Sequence, residues 1–168
     1  DCPGVDFLSV NDQKLLSFKI PGMLPLNHYS RKMVGYLVAI QNGARRIVDT
    51  DDDNIPYDDW DFPEFDGIYE AVKEDSGFIN IYKAFSDQHI WPRGLPLRLI
   101  NDRSNLDPLL VRKDCRVGIW QGLADEDPDV DAIYRLTSDQ PCLFKKRPPV
   151  VCKKGTISPF NTQNTLIR

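Results

Sequence analysis

The feature that most constrains this chain is a helical pattern that ends at a glycine and runs directly into a short apolar stretch followed by acids. Ser30 offers an N-cap, Met33, Leu37 and Ile40 share one helical face with Val34 and Val38 beside them, and Gly43 stands where a helix turns left-handed to stop. Residues 45–48 then read as a strand, and Asp49, Asp51, Asp52 and Asp53 place four carboxylates within five positions. A helix leading into a strand is the building unit of an α/β sheet, and ligands in open sheets of that class bind beyond the carboxyl ends of the strands. The acids lie where a site is expected.

Carboxylates this close repel one another, and protonation, a basic partner or a hard divalent cation relieves the repulsion. The alternative is an acidic loop facing water. From Asp49 to Glu70 there are ten acids and no Lys or Arg, which leaves fifteen acids against all twenty-one bases elsewhere. A net charge of −4 thus hides an acidic pole on a basic body. That distribution argues against nucleic acid at the acidic stretch and suits a metal-bridged anion, with carboxylates on the metal and Lys or Arg on the rest of the ligand. No apolar run reaches the length of a membrane span. A chain of 168 residues, 41% hydrophobic, suits one domain with its own core. The start, Asp1-Cys2-Pro3-Gly4, reads as a cut or processed end.

Along the chain, residues 5–10 pattern as a short strand and 13–18 as a brief helix, and Ile55 to Gly77 reads as turns rather than periodic structure. Residues 78–82 alternate like a strand, as do 109–111 and 116–121, whereas the stretch from Ile157 to Leu166 is polar and loop-like. Pro128 fits the first turn of a helix. Arg31 and Lys32 occupy a first helical turn that prefers anions, either as solvated cations or as ligands of a phosphate held at that N-terminus. Trp91 is either core or a platform for a base or sugar. Asp129 and Asp131 either compensate a helix dipole or serve a site. The cysteines, Cys2, Cys115, Cys142 and Cys152, lack the spacing of a zinc site; Cys142 and Cys152 either pair across Lys145–Pro149 or remain free thiols.

Ser30-Arg31-Lys32-x-x-Gly35, the following helix, Gly43-Ala44 and Ile47-Val48-Asp49-x-Asp51-Asp52 resemble the segment of GT-A glycosyltransferases that leads into their Asp-x-Asp motif. The resemblance is closer to the STELLO/DUF288 family of plants and nematodes. It extends through Phe7-Leu8-Ser9, Trp91-Pro92-Arg93-Gly94-Leu95-Pro96, Gln121-Gly122-Leu123, Pro128-Asp129-Val130-Asp131 and Phe160-Asn161-x-Gln163-Asn164-Thr165-Leu166. A weaker similarity joins Gly35-Tyr36, Asp51-Asp52-Asp53 and Pro128-Asp129-x-Asp131 to the reversibly glycosylated polypeptides that act as UDP-arabinopyranose mutases.

The resemblance implies an α/β, GT-A-like mixed sheet flanked by helices. It also implies a single domain over residues 1–168 that is incomplete at both ends, because the family has a strand ahead of Phe7 and more chain after Leu166. The implied activity is metal-dependent transfer of a sugar from a nucleotide-diphosphate donor, UDP-linked by preference, to a glycan or other hydroxyl acceptor. Mn²⁺ or Mg²⁺ would be held by Asp51 and Asp53, although Asp49 with Asp51 satisfies the same spacing. Arg31, Lys32, Asp49, Asp52 and Arg93 would serve the donor, and Asp129 or Asp131 would deprotonate the acceptor. Two other readings follow from the same kinship: a non-catalytic domain that associates with other glycosyltransferases, and a UDP-sugar mutase. The compartment would be the Golgi lumen in a eukaryote and the cytoplasm in a bacterium or virus.

Overall fold

A computed structural model describes residues 4–168, which divide into two compact units on either side of the Ile47–Val48 junction. In the first unit the stretch expected as a strand, residues 5–10, is irregular up to Ser9 and helical at Val10, with Phe7 86% exposed. The reason is local. Ser9 Oγ accepts from the Asp12 N–H at 3.2 Å while the Asp12 carboxylate accepts the Ser9 N–H at 3.0 Å, a reciprocal cap that starts helix α1 (Val10–Leu15) earlier than the pattern suggested. A 3₁₀ turn over Tyr29–Arg31, capped by His28 Nδ1 accepting from the Ser30 N–H, leads into helix α2 (Lys32–Gln41). The cap therefore falls on His28 rather than Ser30.

Helix α2 stops as its sequence dictates. Gly43 has φ +84°, its N–H reaches the Ile40 carbonyl at 2.9 Å, and the Ala44 N–H reaches the Ala39 carbonyl at 2.9 Å, the paired bonds of a Schellman ending. Of the apolar residues on its face, Val34 is fully buried, while Met33 and Ile40 are exposed.

Strand β1 (Ile47–Thr50) starts at the last residue of the first unit and carries the chain into the second; it extends beyond the expected strand and takes Asp49 inside it. The remaining strands are β2 (Asp66–Val72), β3 (Gly77–Phe78), β4 (Leu110–Arg116), β5 (Ile119–Gln121), β6 (Val150–Cys152), β7 (Thr156–Ile157) and β8 (Asn164–Ile167), with helix α3 (Ala132–Thr137) between β5 and β6. They form three sheets in the orders β1-β8-β5, β4-β2-β6 and β3-β7. Strand β2 pairs antiparallel with β4 from Asp66↔Arg116 to Val72↔Leu110 and parallel with β6 from Glu70↔Val150. The architecture is the expected mixed α/β class, its strands shared among small sheets with few helices.

Several expectations along this unit are corrected. The turn-rich stretch from Ile55 to Gly77 contains β2, the centre of its sheet, and the stretch from Ile157 to Leu166, read as loop, holds the end of β7 and most of β8. The strand foreseen over residues 78–82 closes after Phe78, because the Asn80 side chain accepts the Tyr82 N–H at 3.1 Å and turns the chain into a 3₁₀ helix, Ile81–Ala84. Helix α3 begins after Asp131, so Pro128 lies outside it. Cys115, Cys142 and Cys152 are free thiols; Cys2 lies outside the described residues.

Three buried clusters hold the second unit. The first gathers Tyr82, Ile90, Trp91, Leu95, Val130 and Tyr134; the second, Phe65, Ala71, Cys115, Val117, Trp120 and Leu166; the third, Val72, Ile79, Ala84 and Leu106. Trp120 packs edge-on to Tyr69, with ring centroids 5.2 Å apart, and donates its indole N–H to the Glu64 carbonyl at 3.2 Å. Replacing it removes an aromatic from the middle of the second cluster. Trp120→Ala should lower unfolding free energy by about 3–5 kcal/mol, read as a shift in the urea midpoint.

Candidate functional site

The acids after β1 form a tight turn. The Asn54 N–H reaches back to the Asp51 carbonyl at 3.4 Å, and Asp51, Asp52 and Asp53 are exposed whereas Asp49, within β1, is 8% exposed. One residue anchors this turn. The Gln163 carbonyl accepts the Asp51 N–H at 3.0 Å and the Asn54 side-chain amide at 2.6 Å, while the Gln163 side chain donates to the Asp127 carbonyl at 3.1 Å. The acidic turn is thereby fastened to the segment Asp125–Asp131. A second tie runs from Tyr57 Oη to the Asp125 carboxylate at 2.8 Å, and that bond, with the carboxylate's charge, pushes the Tyr57 phenol above its usual range.

The segment Asp125–Asp131 is itself pinned. Asp131 caps α3 by accepting the Tyr134 N–H at 2.9 Å, and its other oxygen accepts the Trp91 indole N–H at 2.6 Å. Trp91, 5% exposed, is therefore core, and it presents the following Pro92-Arg93 turn to Val130 and Asp129. The Arg93 N–H reaches the Asp129 carbonyl at 3.1 Å, and its guanidinium grips Asp129 Oδ1 through Nε at 2.6 Å and through Nη2. Tyr82 lies beneath, its phenol pushed well above the usual range by burial.

These residues belong to a chain with recognisable kin. No protein-family model matches the sequence. "Probable glycosyltransferase STELLO2" of Arabidopsis thaliana is 33% identical across 97% of the chain, and "Probable glycosyltransferase STELLO1" of the same plant is 30% identical across 97%. The chain is similar over nearly its whole length to a segment of these two STELLO proteins. It spans about a quarter of the length of the curated relatives it matches, 24% in each case.

Within the chain, Asp49, Asp51, Asp52, Asp53, Arg93, Asp129 and Asp131 all fall in the second unit, and Arg31 and Lys32 in the first. Arg31 clamps its own unit: Nε donates to Gln13 Oε1 at 2.9 Å, Nη1 to the Leu24 carbonyl at 3.0 Å and Nη2 to the Pro21 carbonyl at 3.3 Å. The two acids expected as acceptor bases have structural duties, Asp131 with both oxygens as cap and indole partner, Asp129 as the counter-ion of Arg93. Sequence reasoning did not single out Gln163, Asn54 or Tyr57 as site residues. Polar side chains that act through backbone carbonyls leave no charge pattern to find, although Gln163 stands in a quoted family motif.

Among the described residues no three side chains of His, Cys, Asp or Glu are grouped to hold a metal ion. Mg²⁺ and Mn²⁺ are commonly held by one or two carboxylates together with water and substrate phosphate oxygens. The exposed hard-oxygen pair Asp51 and Asp53 fits that chemistry. The structural duties give a direct test: Asp131→Ala, which uncaps α3 and strands a buried indole N–H, should cost about 2–4 kcal/mol in chemical denaturation. Arg93→Ala, which breaks a pair whose arginine is 71% exposed, should stay within about 1 kcal/mol.

Proposed function

We propose that this chain carries the donor site of a metal-dependent glycosyltransferase that uses a nucleotide-diphosphate sugar, UDP-linked by preference, and a glycan or other hydroxyl-bearing acceptor. The supporting observation is the Gln163 bridge, which brings the acidic turn and the Arg93–Asp129 pair onto one scaffold. The named activity of the curated relatives, probable glycosyltransferases, agrees with it.

In this reading Asp51 and Asp53 hold Mn²⁺ or Mg²⁺, which when bound neutralises charge on the departing nucleoside diphosphate. Asp52, exposed beside them, accepts from ribose or sugar hydroxyls. Arg93 is held by Asp129 with most of its side chain in solvent, so a diphosphate can be met by a cation whose orientation is already set. Asp49, buried within β1, stands at the strand end from which the acidic turn leaves. Arg31 and Lys32 serve the donor only where their own unit presents them to it.

Thermal unfolding with UDP, GDP, ADP and CDP, each with and without Mn²⁺, tests this reading. A metal-dependent rise in Tm is expected with UDP. An Asp51→Ala, Asp53→Ala double variant should lose it while melting at the unliganded temperature, because both side chains are exposed. Absence of a shift with every nucleotide would leave the non-catalytic assembly role in its place.

A further inference from the structure

The middle strand of the sheet β1-β8-β5 opens on Asn164. Immediately before it, the Gln163 carbonyl holds the acidic turn that leaves β1. On its other side β5 ends against it, with Gln121 opposite Thr165 and the Gly122 N–H reaching the Asn164 carbonyl at 2.7 Å. From Gly122 the chain runs through Leu123 and Ala124 into the segment Asp125–Asp131. Asn164 therefore stands at one end of the sheet, between the turn assigned to the metal and the strand exit that leads to the Arg93–Asp129 pair.

The backbone carbonyl of Asn164 is engaged; its side chain is not. Among the described residues the Asn164 side-chain amide has no hydrogen-bond partner, and its Oδ1 is buried. A buried carbonyl oxygen without a donor is unfavourable, and its retention calls for an explanation beyond the fold. Gly122 is fitted to this same side chain. Its φ lies outside the left-handed region, so no turn demands glycine there, yet a Cβ would stand 2.4 Å from Asn164 Nδ2 and 3.0 Å from Cγ. What requires glycine is the close approach of the amide. Two separate stretches, Gln121-Gly122-Leu123 and Asn161–Leu166, thus meet around a polar group that makes no bond in the unliganded chain.

We infer that Asn164 is a donor-recognition residue whose side-chain amide hydrogen-bonds a hydroxyl of the nucleotide sugar, on the ribose or on the transferred sugar. The inference rests on the nucleotide-sugar reading above. A hydroxyl both donates and accepts, so one hydroxyl, or two on neighbouring carbons, answers an amide that offers a carbonyl oxygen and an N–H₂. Rotation about the Cβ–Cγ bond, which is soft in asparagine, brings Oδ1 out to the ligand. The metal and Arg93 meet charge on the diphosphate. Asn164 meets a neutral hydroxyl, and a site built to pair with a hydroxyl rejects a ligand lacking it.

Calorimetric titration of the full chain with UDP, UDP-glucose, UDP-galactose and UDP-xylose in Mn²⁺, together with the Tm of the unliganded chain, tests this. Asn164→Ala should weaken binding about 5–10-fold and keep the unliganded Tm within about 3 °C, because the amide it removes makes no bond in the fold. Gly122→Ala displaces the amide without deleting it and should weaken binding comparably, while the double variant should bind no more weakly than Asn164→Ala alone. Weaker binding of UDP itself places the hydroxyl on the ribose; weakening confined to the UDP-sugars places it on the transferred sugar. Parent-like binding of all four ligands by Asn164→Ala overturns the inference and spares the donor site, the amide then serving the fold through a buried water. Binding of none of the four by the parent chain overturns both.

Discussion

The hydrogen bond from the Trp91 indole to Asp131 is the constraint on which the rest of the site depends. It joins the largest side chain of one buried cluster to the residue that caps α3, and so fixes the Pro92-Arg93 turn against Asp129. A carboxylate near the core is costly unless its oxygens are satisfied. Here an indole and a backbone amide satisfy them, and the neutral donors leave its charge available to the start of the helix. With Asp131 held, the orientation of Asp129 and the position of the Arg93 guanidinium follow from short connections.

Gln163 extends that order to the acidic turn. Its carbonyl takes two donors from residues 51–54, and its side chain reaches the backbone at Asp127. The turn's carboxylates are left in solvent, where their mutual repulsion is screened and a ligand can reach them. Backbone groups hold the turn and side chains remain for chemistry, a division of labour common to loops that bind ligands.

What could be read beforehand followed strong local signals. Helix α2 and its Gly43 ending were legible because a left-handed glycine and the helical spacing agree. The burial of Trp91 was one of two readings already open. Strand β2 was missed because Asp66-Gly67 resembles a turn, yet Gly67 leaves room for the Tyr69 ring, with 3.3 Å from a would-be Cβ to that ring. Strand β8 was missed because its polar residues gain burial only by pairing with distant strands, and Thr165 is fully buried. The chemical roles of Asp129 and Asp131 were weighed from their spacing, which cannot reveal the indole of Trp91 or the guanidinium of Arg93 that claims each of them.

The sheet topology bears on how the molecule is made. Strands β6, β7 and β8 all come from the last portion of the chain, and each of the three sheets takes one of them. In the parallel pairs the partners are far apart in sequence, Glu70 with Val150 and Gly77 with Thr156. Such pairings close large loops and form slowly. No sheet of the second unit can therefore be completed as the chain leaves the ribosome. The strands made earlier must wait with open edges until residues 150–167 emerge, which makes the unit dependent on late, nearly simultaneous closure and on protection in the interval.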